Sequence, residues 1–78
     1  MPRFFFDVHD DIDMIDDDGV ELPDADAAAR EALRGARALI CEQVTKGRIN
    51  LSHFVKVRDE AGAHVATVSF DEAVTLER

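Results

Sequence analysis

Asp7, Asp10, Asp11, Asp13, Asp16, Asp17 and Asp18 crowd one short stretch near the start of the chain. Carboxylates at that density are what a hard cation such as Ca²⁺ takes, since it gathers about six to eight oxygen ligands. The spacing is not that of an EF-hand loop. With Gly19 at the invariant glycine, Met14 would stand at the first ligand position and Ala25 at the last, where carboxylates are required. The stretch is therefore expected to be a solvated acidic loop. Asp10, Asp11, Asp13, Asp16, Asp17 and Asp18 are weak candidate ligands, with no dedicated metal centre.

The other chemically capable side chains are scattered. His9, His53 and His64 lack metal-ligand spacing, and the strand register derived below sends His53 and His64 to opposite faces. Cys41 is the single cysteine, with Arg37 and Arg34 one and two helical turns before it, a setting that can activate a thiol. Its place near a helix C-terminus opposes that, because the dipole disfavours an anion there. No second cysteine could resolve an oxidised sulfur, so an unreactive thiol is expected.

Arg30, Arg34 and Arg37 share a helical stripe, the one basic strip of the chain. Asp26 stands four residues before Arg30, and Glu42 four before Lys46, which answers part of this charge within the helix. What is left could dock an acidic partner, or the aspartate loop of another copy, through bidentate guanidinium contacts.

There is no glycine-rich phosphate loop, serine nucleophile elbow, paired-cysteine zinc pattern or helical His-Glu pair, and tyrosine and tryptophan are absent. No catalytic residue and no cofactor is expected, and the chain is not expected to be an enzyme.

The elements that position these residues belong to a chain of 78 residues, read as one domain over 1–78. A domain of that size buries only about 60% of the surface its unfolded chain exposes, so its core is thin. One cysteine rules out an internal disulfide and points to a reducing compartment, the cytoplasm. The opening apolar run Phe4-Phe5-Phe6 is too short for a signal peptide, and nothing approaches the roughly 20 apolar residues of a membrane span. Seventeen acidic against nine basic side chains give a formal charge of -8. That field repels phosphate backbones and anionic headgroups, so neither nucleic acid nor membrane is an expected partner.

From Arg3 to His9, Phe4, Phe6 and Val8 alternate with Arg3, Asp7 and His9, the period of a half-buried strand, broken only by Phe5. The span Asp10 to Gly19 is a loop, or a loop with a short return strand, and Gly19 to Leu22 can pair briefly before Pro23. Asp24 suits an N-cap for a helix to about Lys46, ended by Gly47. Ala25, Ala29, Ala32, Leu33, Ala36, Ile40 and Val44 form its expected sheet-facing stripe. Ala28, Gly35, Ala38 and Leu39 fall on the flank, where the mid-helix glycine suits either close approach of a neighbour or simple tolerance.

Leu51 to Arg58 and Ala63 to Phe70 read as two strands joined by Asp59-Glu60-Ala61-Gly62, a type I turn followed by a left-handed glycine. Pairing Asp59 with Ala63 sets Val57 opposite Val65, Val55 opposite Thr67, Phe54 opposite Val68 and Ser52 opposite Phe70. Leu51, Val55, Val57 and Val65 are assigned to the helix side. Phe54, Ala66, Val68 and Phe70, with Phe5, then form an apolar patch on the back of the sheet. Such a patch marks an interface unless the tail, through Ala73, Val74 and Leu76, folds over it.

Met1-Pro2-Arg3-Phe4-Phe5-Phe6-Asp7, Asp17-Asp18-Gly19-Val20-Glu21-Leu22-Pro23-Asp24, Ala28-Ala29, Glu31-Ala32 and Val57-Arg58-Asp59-Glu60-Ala61-Gly62 carry a resemblance over nearly the whole chain. The chain resembles a family of short bacterial proteins, common in rhizobia and relatives, that is catalogued only as a domain of unknown function. The resemblance implies boundaries and no activity. Family members often carry a glycine after the first strand, where this chain has Asp10-Asp11. A thinner likeness, through Glu31-Ala32-Leu33 on a capped, alanine-rich helix, is to the partner-binding module of HicB-type antitoxins, without their DNA-binding extension.

The expected architecture is α+β, in the order β-(β)-α-β-β: an antiparallel sheet of three or four strands with one long helix across one face. The expected function is a non-enzymatic protein-interaction module, homodimeric through the back of the sheet. The alternatives are a cation-responsive acidic module using the aspartate loop and an antitoxin-like partner-binding module.

Overall fold

A computed structural model describes all residues, 1–78. The alternating segment forms β1 (Arg3–His9), with Phe4, Phe6 and Val8 turned toward the core and Phe5, Asp7 and His9 toward the other face. Two short strands lie along the outer side of β1. These are β2 (Asp13–Met14), opposite Val8 and His9, and β3 (Val20–Glu21), opposite Arg3 and Phe4. Gly19 leads into β3 with φ +72, and a Cβ there would stand 2.8 Å from Arg3 Cγ and 2.9 Å from the Phe4 carbonyl oxygen. Only glycine allows so tight an approach to β1.

Helix α1 (Ala25–Thr45) starts where expected: the Asp24 side chain accepts the Ala27 N–H at 2.8 Å, and the cap lies at Lys46. Its buried line is Ala28, Ala32, Ala36 and Ile40. That corrects the expected stripe, because α1 packs along its i, i+4 row. Ala28 moves from the flank into the core, Ala29 and Leu33 become half-buried shoulders, and Ala25 and Val44, at the two ends of the helix, are exposed. Small side chains along this row let α1 sit close over β4 (Phe54–Arg58) and β5 (His64–Ser69).

The sheet is antiparallel and open, in the order β2-β1-β4-β5 with β3 also on β1, so five strands stand where three or four were expected. The hairpin turn forms as read. Gly62 has φ +85, Gly62 N–H donates to the Asp59 carbonyl at 3.0 Å, and Asp59 N–H donates to the Ala63 carbonyl at 2.9 Å.

Beyond the turn the expected register slips by one residue. Arg58 still lies opposite His64, but Val57 is opposite Ala66, Val55 opposite Val68 and Phe54 opposite Ser69, which leaves Val65 as an extra, bulged residue. One such slip turns every later side chain over. Ala66 and Val68, expected on the back, therefore join Val55 and Val57 on the helix side, and Val65 packs there too.

The chain after β5 corrects a second expectation. Phe70 opens a one-turn helix, α2 (Phe70–Ala73), capped by a reciprocal pair of bonds between Ser69 and Glu72. α2 packs against α1, with Arg37 Nε donating to the Ala73 carbonyl at 2.8 Å, so the tail closes the core from the helix side. Phe70 and Ala73 are fully buried there, and neither is on the back of the sheet.

Candidate functional site

The aspartate stretch is bound into the fold. Phe6 N–H, in the gap between β2 and β3, donates to Asp16 Oδ2 at 3.1 Å. The other oxygen of Asp16 accepts the N–H groups of Asp18 and Gly19 at 3.0 and 3.1 Å. Burial alone would raise the Asp16 carboxyl. The N–H donors of Gly19, Phe6 and Asp18, with the charge of Arg58, outweigh it and hold the group below its ordinary range.

Asp7 is buried beside it, accepting from Asp16 N–H at 2.9 Å and from Arg58 Nε at 3.0 Å. Burial again acts to raise this carboxyl. The Arg58 hydrogen bond, the Asp16 N–H and the positive charges of Arg58 and His9 keep it lowered. Arg58 also donates to the Asp16 carbonyl at 2.7 Å, and so ties β4, β1 and the loop together.

The remaining aspartates are dispersed. Asp10 accepts Ile12 N–H in a local turn, Asp13 pairs with His9 Nδ1 at 3.0 Å, and Asp11 pairs with Arg48 at 2.6 Å. Asp17 and Asp18 are exposed. No three His, Cys, Asp or Glu side chains converge as a metal would need.

The histidines separate as the spacing implied. His53 is buried, with Nδ1 at 2.9 Å from Gln43 Nε2, its ring edge-on to Phe70, and Nε2 at 3.5 Å from Asp11. Gln43 Oε1 accepts Asn50 N–H, so its Nε2 is the donor and His53 Nδ1 the acceptor. This bond pins the segment after α1 back onto the helix. His64 is exposed, with Nε2 2.7 Å from Thr67 Oγ1. Cys41 is a free, exposed thiol.

The arginine strip is divided. Arg34 pairs with Glu31, Arg37 holds α2, and Arg30 is exposed with no carboxylate at ion-pair distance. The Asp26–Arg30 and Glu42–Lys46 pairs suggested by spacing are not among the ion pairs formed; within the helix the ion pair is Glu31–Arg34, three residues apart. A Cβ added to Gly35 would meet nothing within 4 Å, so no neighbour requires that glycine.

The back of the sheet is the broadest uncovered feature. Three rows cross it: Phe5–Arg58–His64, Asp7–Lys56–Thr67 and His9–Phe54–Ser69. Neither helix packs on this side. The Arg58 guanidinium lies 4.6 Å from the Phe5 ring centroid, and the His9 ring stacks on Phe54 at 4.6 Å and 17°. Of the five residues expected to form the patch, Phe5 and Phe54 are on this face and half-buried, whereas Ala66, Val68 and Phe70 lie on the helix side. The face combines two aromatic rings with charged side chains, Arg58 paired with Asp7 and Lys56 unpaired, where an apolar one was expected.

A family model covers residues 3–71, nearly the whole chain, and its description is Domain of unknown function (DUF6894). The chain belongs to this family. The resemblance to a domain of unknown function, carried by Arg3-Phe4-Phe5-Phe6-Asp7 and Asp17-Asp18-Gly19-Val20-Glu21-Leu22-Pro23-Asp24 among others, therefore holds, and it brings no activity with it. No curated protein and no solved structure shows significant similarity to the chain. No helix is long and apolar enough to cross a membrane.

Within this member of the family, Lys56 and Arg58 are the residues of the back that sequence reasoning passed over. A signal for them was present. Strict alternation from the buried valines, Val55 and Val57, puts Phe54, Lys56 and Arg58 together on the other side.

Proposed function

We propose that the chain is a non-enzymatic protein-interaction module whose open sheet back takes an acidic segment of another polypeptide. One observation carries this reading. The face is covered by no helix and presents Phe5 and Phe54 beside Lys56 and His64, while Arg58 is paired with the buried Asp7 and His9 with Asp13 at the edge of the face. In a chain of net charge -8, the half-buried aromatic side chains of this face thus sit beside Lys56 and Arg58, of which Lys56 has no carboxylate at ion-pair distance. Aromatic rings give a partner apolar contact area, and the cations select carboxylates beside it.

Back-to-back self-association, the form expected while the face was thought apolar, would set Lys56 against its own copy near a two-fold axis. The corrected register favours a different, acidic chain. The buried titratable side chains support a non-catalytic role, since Asp7 is held by Arg58 and His53 by Gln43. The unpaired Cys41 thiol supports a reducing compartment, the cytoplasm.

Affinity capture with the immobilised chain tests the proposal. Wild type should retain acidic proteins that Phe54→Ser and Lys56→Glu lose and that the helix-surface variant Arg34→Ala keeps. Identical captures from all four chains would end it.

A further inference from the structure

The strand order leaves β5 as the far edge of the sheet, with no strand beyond it. Phe70 N–H donates to the His53 carbonyl at 2.8 Å, so by the alternation of an antiparallel ladder Val68 and Ala66 bond to β4. The N–H and C=O of Thr67 then point outward. Natural edges are protected by lysine, proline, inward charges or a covering element. β5 carries a bulge at Val65, but Ala66–Ser69 beyond it has none of these, a run without a charge or a proline.

We propose that this edge pairs antiparallel with β5 of a second copy, about a two-fold axis through Thr67. The sequence of β5 is self-complementary in that register. On the helix side Ala66 meets the partner's Val68 and Val68 meets the partner's Ala66, while on the back the two Thr67 side chains meet each other. Apolar and Thr–Thr pairs are favourable across strands. Leu33 and Val65, half-exposed beside the edge, gain cover from the same contact.

Charge fits as well. Ala25 and Val65 border the same hollow, so the N-terminal part of α1 lies over the start of β5. The two-fold brings the partner's α2, with its exposed Asp71, to that end, beside Arg30, a strip arginine that is exposed and has no carboxylate at ion-pair distance. The dimer leaves both sheet backs open, so it stands or falls separately from the docking proposed above. A chain this small often gains its missing core from a second copy.

Sedimentation equilibrium from low micromolar to submillimolar concentration tests the pairing. Wild type should pass from monomer to dimer. Thr67→Pro should remain monomeric with an unchanged circular dichroism spectrum, because the N–H it removes is not used by β4. If that variant fails to fold, Thr67→Lys, which sets two ammonium groups at the axis, carries the same expectation. In a Cys41→Ser background, Thr67→Cys should oxidise to a disulfide-linked dimer and Lys56→Cys on the back should not. A wild type that stays monomeric throughout, or a folded Thr67→Pro or Thr67→Lys variant that still dimerises, overturns the proposal.

Discussion

Along the β1 edge the chain sets β2, β3 and the Asp16 carboxylate on the outward side of the strand, whereas along the β5 edge it sets only the bulge at Val65. Both edges carry the same backbone groups and the same tendency to recruit another strand. The difference gives the aspartate run its meaning. At the β1 edge, carboxylates act as hydrogen-bond acceptors for backbone N–H groups and as partners for Arg58 and His9. One edge is closed by the chain's own acidic residues, and the other has no strand beyond it.

The largest way to break the closed edge is Asp7→Ala. It strands Arg58, about a quarter exposed, and removes the acceptor of Asp16 N–H. Loss of one member of a buried pair costs about 3–5 kcal/mol, and the partial exposure of Arg58 puts the expected loss near the lower bound, about 3 kcal/mol. Small domains hold roughly 0.05–0.15 kcal/mol per residue in all, so urea unfolding should show a large fraction of the stability gone. Retention of wild-type stability would mean that the pair does not hold the edge.

Acid should act on the same groups. The carboxyls of Asp7 and Asp16 are lowered in the folded chain, so it binds fewer protons there than the unfolded chain does. Their contribution is complete above the unfolded value, about 3.9, and is lost as pH falls through the folded values below it. Chemical denaturation across pH should therefore show a decline beginning near the unfolded value, and that decline should be shallower in Asp7→Ala.

Asp16→Ala should cost less, about 2 kcal/mol, since hydrogen bonds to a charged acceptor contribute roughly 1.5–3 kcal/mol and loop N–H groups can turn to water. Its more telling effect is on association. With Phe6 N–H uncapped, the β1 edge becomes a second unprotected edge, and light scattering at high concentration should show open-ended growth instead of a closed dimer. Growth no greater than wild type would show that β2 and β3 suffice to close the edge.

How much of this was legible in the sequence differs along the chain. α1, β1 and the hairpin turn were readable because their signals are local: an aspartate cap, a period of two, and a glycine after a type I turn. The faces of β5 were not. The bulge at Val65 depends on packing against α1, which no local pattern encodes, and its one-residue slip moved Ala66 and Val68 to the core. Phe70 went to the core for a related reason, since Ser69 and Glu72 form a capping box that ends the strand there. The motif is visible as Ser69-Phe70-Asp71-Glu72, although Phe70 was taken as the strand's last residue. The role of Asp16 was hidden by its neighbours, because composition cannot distinguish an acceptor of backbone N–H groups from a cation ligand.

The two flanks of α1 repeat the contrast of the edges at smaller scale. On the flank above β5, Leu33 packs against the core, so a change there would mix helix preference with lost contact. On the flank above β1, Gly35 borders a groove with Phe6, Val8 and Asp16, and a Cβ at Gly35 finds no atom within 4 Å. Gly35→Ala therefore isolates the backbone term. A mid-helix glycine costs about 1 kcal/mol relative to alanine, with part of the gain arising from a less flexible unfolded chain. For a domain of this size that corresponds to a rise of about 4–8 °C in Tm. A fall in Tm would mean that the groove closes on α1 in solution, and that the loop guarding β1 presses on the helix as well as on the sheet.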